Sequence, residues 1–239
     1  MSQKKKIAGL LQRYPFVDFA VAIATERVQR KNVLRTYVDR ERKGRWKSYK
    51  GLRSLVPDIA GVQRGLDPSA RADFSTIEKG LVSRCHRDDL AFNTEAAKCL
   101  FDFLRPASMD AYDDHPRASL RIAPDRTILM GVEHYVVDGE RAAFRYVHPR
   151  KERLEGHLPD ILMSLIHHNY VRDDYADFEV EIIDLSCEPV IGPRGGIKPG
   201  EIRAPRILRL DPSDLISRED LNEQADHIYS LLMELSEEI

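Results

Sequence analysis

The sequence has few cysteines, a single tryptophan and no long hydrophobic run. Its three cysteines form no Cys-x-x-Cys pair, which excludes a disulfide framework and favours a reducing compartment. Asp18 and Ser164 interrupt its longest apolar stretches, 16–24 and 161–166, which are shorter than the roughly 18 residues of a membrane-spanning helix. The basic N-terminal Met-Ser-Gln-Lys-Lys-Lys lacks the apolar core and cleavage site of a secretory signal. We therefore expect a cytoplasmic protein with no membrane partner.

Disorder of the whole chain is excluded as well. Hydrophobic residues make up 42% of the 239 residues, enough to bury a substantial core. This length corresponds to one large domain or two small ones. No internal repeat or low-complexity segment divides the chain further.

Charge is distributed unevenly along the chain. The first 53 residues contain 15 Lys or Arg and only four acids, a local charge of +11, while the remainder carries −13. Such an asymmetry predicts an anionic partner for the basic part. It also leaves open that the two parts of the protein, or two copies of it, attract each other, so a homo-oligomer is one interpretation.

The apolar pattern changes near the middle of the chain. Residues 1–105 show helical spacing and predict a basic, mainly helical domain. Residues 106–116, with two prolines and three aspartates, are typical of a linker or a surface loop. Residues 117–239 predict a small mixed or antiparallel sheet packed by two helices, the last of them an acidic amphipathic helix that begins after Ser217. The fold class predicted is α+β.

A hairpin is the most specific local prediction. Asp138-Gly139 lies between two stretches rich in β-formers, 127–137 and 141–148, and is typical of a two-residue turn. With these two residues at the centre of the turn, Glu133 lies opposite Phe144. The loop 192–200 is rich in glycine and proline and is interpreted as a long hairpin connection.

The strongest functional signal is a run of cations with interleaved aromatic residues. Cations neutralise phosphates and release counterions, and aromatic rings stack on unpaired bases, so this pattern predicts a nucleic-acid-binding segment. The candidate binding residues are Arg27, Arg30, Lys31, Arg35, Arg40, Arg42, Lys43, Arg45, Trp46, Lys47, Tyr49, Lys50 and Arg53.

Catalytic and metal-binding patterns are weak by comparison. The order of an acidic residue, a strand, a hairpin, a second strand and a helix around Glu133 is similar to that of restriction-endonuclease-like nucleases. Their acid-x-Lys element is missing from the return strand, so the resemblance implies an inactive relative retained for binding. Glu133 is instead expected to pair with a neighbouring Arg or Tyr. His167 and His168 point about 100° apart on a helix, so they cannot share a metal; we predict no catalytic residue, metal or cofactor.

Three functional hypotheses follow. The first is a non-enzymatic nucleic-acid-binding regulator or accessory protein. The alternative is a protein–protein adaptor or inhibitor that docks its basic arm on an acidic partner surface. The third is a hydrolase or nuclease-like protein without activity.

Overall fold

The computed structural model describes the 239-residue chain at residues 15–43, 48–62, 72–106, 109–123, 126–193 and 196–238. These residues form eight α-helices, nine β-strands and two short 3₁₀ turns. The helices are α1 (Phe16–Ala24), α2 (Arg27–Lys43), α3 (Lys50–Arg53), α4 (Val56–Ala60), α5 (Phe74–Arg84), α6 (Arg87–Leu104), α7 (Leu158–Tyr170) and α8 (Arg218–Glu237). The strands are β1 (Asp110–Tyr112), β2 (Ser119–Ala123), β3 (Arg126–Leu129), β4 (His134–Asp138), β5 (Arg141–His148), β6 (Glu179–Asp184), β7 (Cys187–Ile191), β8 (Ile197–Arg203) and β9 (Arg206–Arg209).

A five-stranded mixed sheet forms the centre of the fold. Its strand order is β1-β4-β5-β6-β9, and every neighbouring pair is antiparallel except β5 and β6. A parallel pair needs a long crossover, and the chain supplies one in the form of α7 between these two strands. Two further antiparallel pairs, β2–β3 and β7–β8, stand outside this sheet.

Helices cover both faces of the sheet because its strands alternate their side chains. Phe144, Tyr146 and Ile182 belong to one buried cluster, which also contains residues of α1, α2, α7 and α8. Their chain neighbours Val147 and Ile183 belong to a second buried cluster, formed with α3, α4, α5 and α6. This period of two places apolar side chains on both faces, so each face requires its own helical layer.

The α+β class predicted from the sequence is confirmed. The start of α8 follows the predicted chemistry, since Ser217 accepts a hydrogen bond from the amide of Asp220 at 3.1 Å. The division into domains at 106–116 stays a prediction. Two elements depart from the expected pattern: β1 lies inside the predicted linker, and residues 197–200 of the predicted loop 192–200 belong to β8.

The predicted hairpin exists, but its register differs from the expected one. Asp138 pairs with Arg141 and Tyr135 pairs with Phe144, so Gly139-Glu140 forms the centre of the turn rather than Asp138-Gly139. Gly139 has a φ of 62° and occupies the first central position, where a turn of type II′ requires a positive φ. The shift moves Phe144 by two residues along its partner strand, so the assignment of side chains to faces is unchanged.

Candidate functional site

The basic helix α2 lies against the acidic helix α8. Lys31 Nζ is 3.0 Å from Glu234 Oε2 and 2.8 Å from Glu238 Oε1. Arg35 Nη2 donates to Glu238 Oε2 at 2.7 Å. A fourth pair, Arg27–Glu223, joins the same two helices. We call the whole set the α2–α8 charge surface: Arg27, Lys31, Arg35, Glu223, Glu234 and Glu238.

The pairing is reflected in the ionisation of these groups. Glu238 and Glu234 accept hydrogen bonds from the ammonium of Lys31 and thereby raise its pKa. Conversely, Lys31 and Arg35 lower the pKa of Glu238. Both ions therefore favour their charged forms in the folded protein, and the cations have local counterions within their own chain.

Arg30 takes part in the fold rather than in an open surface. Only 5% of the residue is exposed. Its guanidinium donates to the carbonyl oxygens of Ile23 and Thr25 at 2.8 and 2.9 Å, and it lies 3.2 Å from His227 Nδ1. These bonds satisfy a charge that would otherwise be expensive to bury, and they fasten the α1–α2 junction to α8.

Arg53 forms a second internal site, beside the sheet. Its guanidinium is paired with Glu133, donates to Tyr146 Oη at 2.6 Å and to the Val147 carbonyl at 3.2 Å. Glu133 in turn accepts the amide of Val147 at 3.1 Å. The expected pairing of Glu133 with a neighbouring Arg is therefore confirmed in the structure.

Burial raises the pKa of Glu133 to about 7, because desolvation outweighs the attraction of Arg53. A carboxyl group with such a pKa can act as an acid or a base when substrate reaches it. Here the Glu133 side chain is 6% exposed and its oxygens are engaged by Arg53 and Val147. The geometry is that of a structural ion pair.

The remaining members of the predicted nucleic-acid segment do not form a common surface in the part of the chain that is described. Tyr49 packs edge-on against Phe92 with ring centroids 4.9 Å apart, whereas Lys50 is exposed. The remaining predicted residues fall outside the described part of the chain. This concerns the side chains of Arg40, Arg42 and Lys43 in α2 and the whole of Arg45, Trp46 and Lys47.

A row of charged residues crosses the central sheet. His134 is opposite Arg145, Arg145 is opposite Glu181, and Glu181 is opposite Arg209. Glu181 is fully buried and accepts Arg145 Nε at 2.8 Å and Arg209 Nε at 2.9 Å, with a third bond from Arg141. We call His134, Arg141, Arg145, Glu181 and Arg209 together the sheet charge row.

The arginines of this row control the ionisation of Glu181. Burial by itself would raise the pKa of Glu181, but the hydrogen bonds and charges of Arg141 and Arg145 outweigh it and lower the pKa. His134 is fully buried, and burial together with the nearby Arg145 lowers its pKa to about 3. Neither ring nitrogen of His134 has a hydrogen-bond partner among the described residues.

Metal binding and membrane crossing find no support in the described part of the chain. Among the described residues, no group of three or more His, Cys, Asp or Glu side chains could hold a metal ion. Over the same residues, no helix combines the length and the apolar character that crossing a bilayer requires.

Exposed apolar side chains are concentrated on one element. Six large hydrophobic residues are exposed among those described, and four of them belong to the β7–β8 hairpin: Val190, Ile191, Ile197 and Ile202. The two strands pair with each other and with no other described strand. Single exposed apolar residues are ordinary, but Ile191 and Ile197 are directly paired across the two strands, and adjacent exposed apolar residues are a feature of interaction surfaces. This feature was missed in the sequence, because residues 192–200 were interpreted as a connection.

A groove lies at the base of the same hairpin. Its volume is about 550 Å³, and five of its eight lining residues are of charged types: Glu95, Lys98, Cys99, Asp102, Phe103, Glu201, Arg203 and Pro205. Arg203 Nε donates to Glu95 Oε1 at 2.9 Å, and Lys151 lies 3.1 Å from the other oxygen of that carboxylate. The groove therefore places an ion-paired cluster beside the hairpin.

The fold and these surfaces define an α+β protein in which three cations of the basic helix are paired within the chain and most of the described exposed large apolar side chains belong to one hairpin. The chain belongs to the SocB family, since the family model described as "sliding clamp-binding bacterial toxin SocB" matches residues 17–238. No curated protein and no solved structure matches the chain.

Family membership corrects the leading hypothesis. The interpretation as a nucleic-acid-binding regulator is wrong, because the family is defined by binding to a protein, the sliding clamp. Nucleic acid is not supported as a partner, and the adaptor or inhibitor alternative fits better. The structure supplies a physical reason for part of this correction: three of the cations that suggested an external polyanion, Arg27, Lys31 and Arg35, meet carboxylates on or directly after α8 in the same chain.

Proposed function

We propose that this chain binds a bacterial sliding clamp and acts as a toxin through that contact. The observation that carries the proposal is the match of the family model over residues 17–238, which includes all the helices and strands of the described structure apart from the first residue of α1. A toxin that binds the clamp has its target in the cytoplasm, so we place its action there.

Two structural features support a protein partner. The exposed apolar side chains of the β7–β8 hairpin offer surface that gains free energy when it is removed from water. Three of the four described cations of α2 are paired with acids on or directly after α8, which reduces the attraction of a long polyanion. Binding alone is sufficient for the proposed action, because a bound protein excludes competitors from the surface it covers.

The direct test uses the full chain and the purified sliding clamp of the bacterium that encodes it. We expect a complex in size-exclusion chromatography and a dissociation constant of about 10 µM or tighter in biolayer interferometry. The absence of binding at a clamp concentration of about 100 µM would contradict the proposal.

A test in cells addresses the toxic action. Induced expression of the chain should arrest growth, and simultaneous overproduction of the clamp should relieve the arrest, because by mass action the additional clamp restores a free population. An unrelated protein overproduced to the same level is the control. Growth arrest that is indifferent to the amount of clamp would show that the toxicity has another target.

A further inference from the structure

An aromatic row crosses one face of the central sheet and reaches the surface at β1. Tyr112 is directly opposite Tyr135, and Tyr135 is directly opposite Phe144. Directly paired residues of neighbouring strands share a face, so the rings of Tyr112 and Tyr135 stack with their centroids 5.2 Å apart. Phe144 is fully buried, whereas Tyr112 and Tyr135 are half-buried. The row therefore leads from the core to partly exposed rings at the edge of the sheet.

The turn after α7 adds two more rings to this row. The ring centroids of Tyr175 and Phe178 lie 5.9 and 5.3 Å from that of Tyr135. The amide of Tyr175 donates to the Arg172 carbonyl at 2.9 Å, and the amide of Phe178 donates to the Tyr175 carbonyl at 3.1 Å. Both rings are half-buried. Because the turn already holds them in place, they lose little entropy when a partner binds.

Carboxylates accompany these rings. The segments 110–115 and 172–178 contain six aspartates, one arginine and no lysine. All six aspartates are exposed. The arginine, Arg172, lies 3.9 Å from Asp173, and the two side chains are 60% and 86% exposed. The two segments therefore carry a strong excess of negative charge on the surface.

Both acidic segments meet at the same rings. Tyr135 Oη donates to Asp114 Oδ1 at 2.8 Å, which places the first segment beside them. Burial raises the pKa of the Tyr175 hydroxyl, and the carboxylates of Asp114 and Asp174 raise it further, so both segments bring negative charge to this ring. Carboxylates and aromatic ring faces side by side are suited to recognise cations. We call this region the acidic aromatic surface: residues 112–114, Tyr135 and residues 173–178.

The complementary chemistry is encoded in the same chain. The stretch 40–47 contains five cations, one acid and the single tryptophan of the sequence. The ion pairs described between α2 and α8 involve Arg27, Lys31 and Arg35, all of which precede this stretch. Its arginines and lysines match the aspartates of the acidic aromatic surface, and its tryptophan matches the tyrosine rings.

Within one chain the two regions belong to opposite ends of α8. Helix α2 runs parallel to α8, since its ion pairs progress along both helices in the same direction, and it extends to Lys43 at the C-terminal end of α8. Helix α7 ends at the other end, where His168 Nε2 lies 2.7 Å from the Ile216 carbonyl oxygen, and the segment 172–178 follows it. With 20 residues α8 is about 30 Å long. A contact between the two regions is therefore a contact between two copies.

We propose that the acidic aromatic surface binds the basic stretch 40–47 of a second copy of this chain. Arginine and lysine side chains pair with the aspartates, and Trp46 packs on the tyrosine rings. Because the two contacting surfaces differ, each bound copy still offers one surface of each kind, and association continues beyond a dimer. This inference does not depend on the proposed binding of the sliding clamp.

The size of the contact determines its strength. A stretch of eight residues falls short of the roughly 20–30 residues per partner of a stable interface, and each exposed ion pair contributes little. We therefore expect a weak and transient association, with a dissociation constant of about 100 µM at low salt. Screening of the exposed charges should weaken it as the salt concentration rises.

The first test uses a synthetic peptide of residues 38–49, whose tryptophan is the reporter. The receiver is the full chain without its own tryptophan and without the cations of its own stretch, so that only the peptide is observed and nothing competes with it: Arg40→Ser/Arg42→Ser/Lys43→Ser/Arg45→Ser/Trp46→Phe/Lys47→Ser. Fluorescence anisotropy should show saturable binding near 100 µM at about 20 mM salt and at least about fivefold weaker binding at about 300 mM. No binding at a receiver concentration of about 1 mM would overturn the proposal.

Matched variants of the receiver test the surface itself. Asp173→Asn/Asp174→Asn/Asp177→Asn should weaken peptide binding at least about fivefold, because it removes three carboxylates of the surface. Asn tolerates the positive φ of 52° at position 173. The control makes the same change in net charge at exposed carboxylates of α5, β8 and α8, and it should bind within about twofold of the receiver: Glu78→Gln/Glu201→Gln/Asp226→Asn. Thermal unfolding of every variant checks that the fold is intact, and equal weakening by both variants would overturn the proposal.

Sedimentation velocity of the unmodified full chain tests whether the occupant is a second copy. Its sedimentation coefficient should rise with protein concentration at low salt, without a plateau at the dimer. The rise should disappear both in Asp173→Asn/Asp174→Asn/Asp177→Asn and in the chain that lacks the cations of the stretch 40–47. A chain that binds the peptide but stays monomeric at about 500 µM would overturn the assignment to a second copy and leave the surface to a basic segment of another protein. Self-association that persists in both variants would overturn the proposal, because it would use other surfaces.

Discussion

Two regions of this molecule each contain a group of ion pairs, and the two groups differ in their exposure to water. In the α2–α8 charge surface, Arg27 and Glu223 have side chains that are 58% and 65% exposed. In the sheet charge row, the corresponding values for Arg145 and Glu181 are 2% and 0%. Water and salt screen the first group, whereas the second group lies where desolvation is expensive and a lost partner cannot be replaced by solvent.

The difference teaches how to interpret a charge asymmetry in a sequence. The surface pairs use three of the four described cations of α2, so these three have counterions without an external polyanion. The buried row contributes few charges to the total, but each charge in it needs a partner in the protein because solvent cannot replace that partner. Composition counts both groups alike, although only the buried one is expected to dominate the free energy of unfolding.

The largest predicted effect belongs to the buried row. Glu181→Gln should lower the free energy of unfolding by about 3–5 kcal/mol, because Arg145 keeps its charge in a site that no longer contains a counterion. Guanidinium denaturation at neutral pH measures this change.

The control for this prediction lies on the same strand. Glu179 is 52% exposed and, among the described residues, pairs with Arg141 alone, so Glu179→Gln should cost less than about 1 kcal/mol. Similar losses in the two variants would show that burial does not distinguish the two kinds of ion pair in this protein.

The next effect concerns the Arg53–Glu133 pair. Arg53→Met should cost about 3 kcal/mol at pH 8, because a buried carboxylate loses its cation, and less at pH 5. The folded pKa of Glu133 is raised to about 7, so the stability that this group contributes is present at low pH and is lost as the pH rises through that value. Without Arg53 the folded pKa rises further, which makes the loss between pH 5 and pH 8 steeper.

Urea denaturation at the two pH values measures the difference, and Glu133→Gln provides the control. In that background there is no carboxyl group to titrate, so Arg53→Met should cost the same at pH 5 and pH 8. A cost of Arg53→Met that is independent of pH in the parent chain would mean that Glu133 does not titrate as burial implies.

Much of the central fold could be predicted because its signals are local. The apolar spacing of α6 and α8 and the β-formers of β5 and β6 are visible within each segment. The hairpin turn was misplaced by one residue, because Asp138-Gly139 and Gly139-Glu140 both place the glycine at a position that tolerates a positive φ. β1 was missed because its three residues gain their structure from pairing with β4.

The candidate surfaces were harder to predict for a different reason. Arg27 and Glu223 are 196 residues apart in the chain, and Lys31 and Glu234 are 203 apart, so only the packing of α2 on α8 shows that they meet. The apolar hairpin was hidden by its prolines and glycines, which are typical of a loop. The β-branched residues on both sides of the turn, Val190, Ile191 and Ile197, were the signal in the sequence that could have revealed it.

A third effect tests a buried histidine of the sheet charge row. The folded pKa of His134 is about 3, below its ordinary value of 6.5, because burial and Arg145 disfavour its charged form. The stability that it contributes is therefore present above pH 6.5 and is lost as the pH falls towards 3. Between pH 7.5 and pH 5 this loss amounts to about 2 kcal/mol, and His134→Leu should remove it. His148 and Glu133 titrate in both proteins and cancel in the comparison.

Denaturation of the parent and of His134→Leu at both pH values gives this difference directly. His157→Asn is the control, because it removes a histidine whose side chain is 91% exposed rather than buried. If the parent and His134→Leu lose the same stability on acidification, His134 is not held neutral by the fold.

The smallest effect is expected from the α2–α8 charge surface. Glu238→Gln removes the shared partner of Lys31 and Arg35, but it also removes a negative charge next to the C-terminal end of α8, where the helix dipole disfavours it. These opposing terms should lower the melting temperature by no more than about 2 °C at low salt, and the shift should vanish at high salt, where exposed charges are screened. Asp226→Asn makes the same charge change on α8 at a residue with no ion pair among those described, and it should shift the melting temperature less at low salt. A large shift that persists in high salt would place the α2–α8 pairs with the buried row and remove the distinction between the two regions.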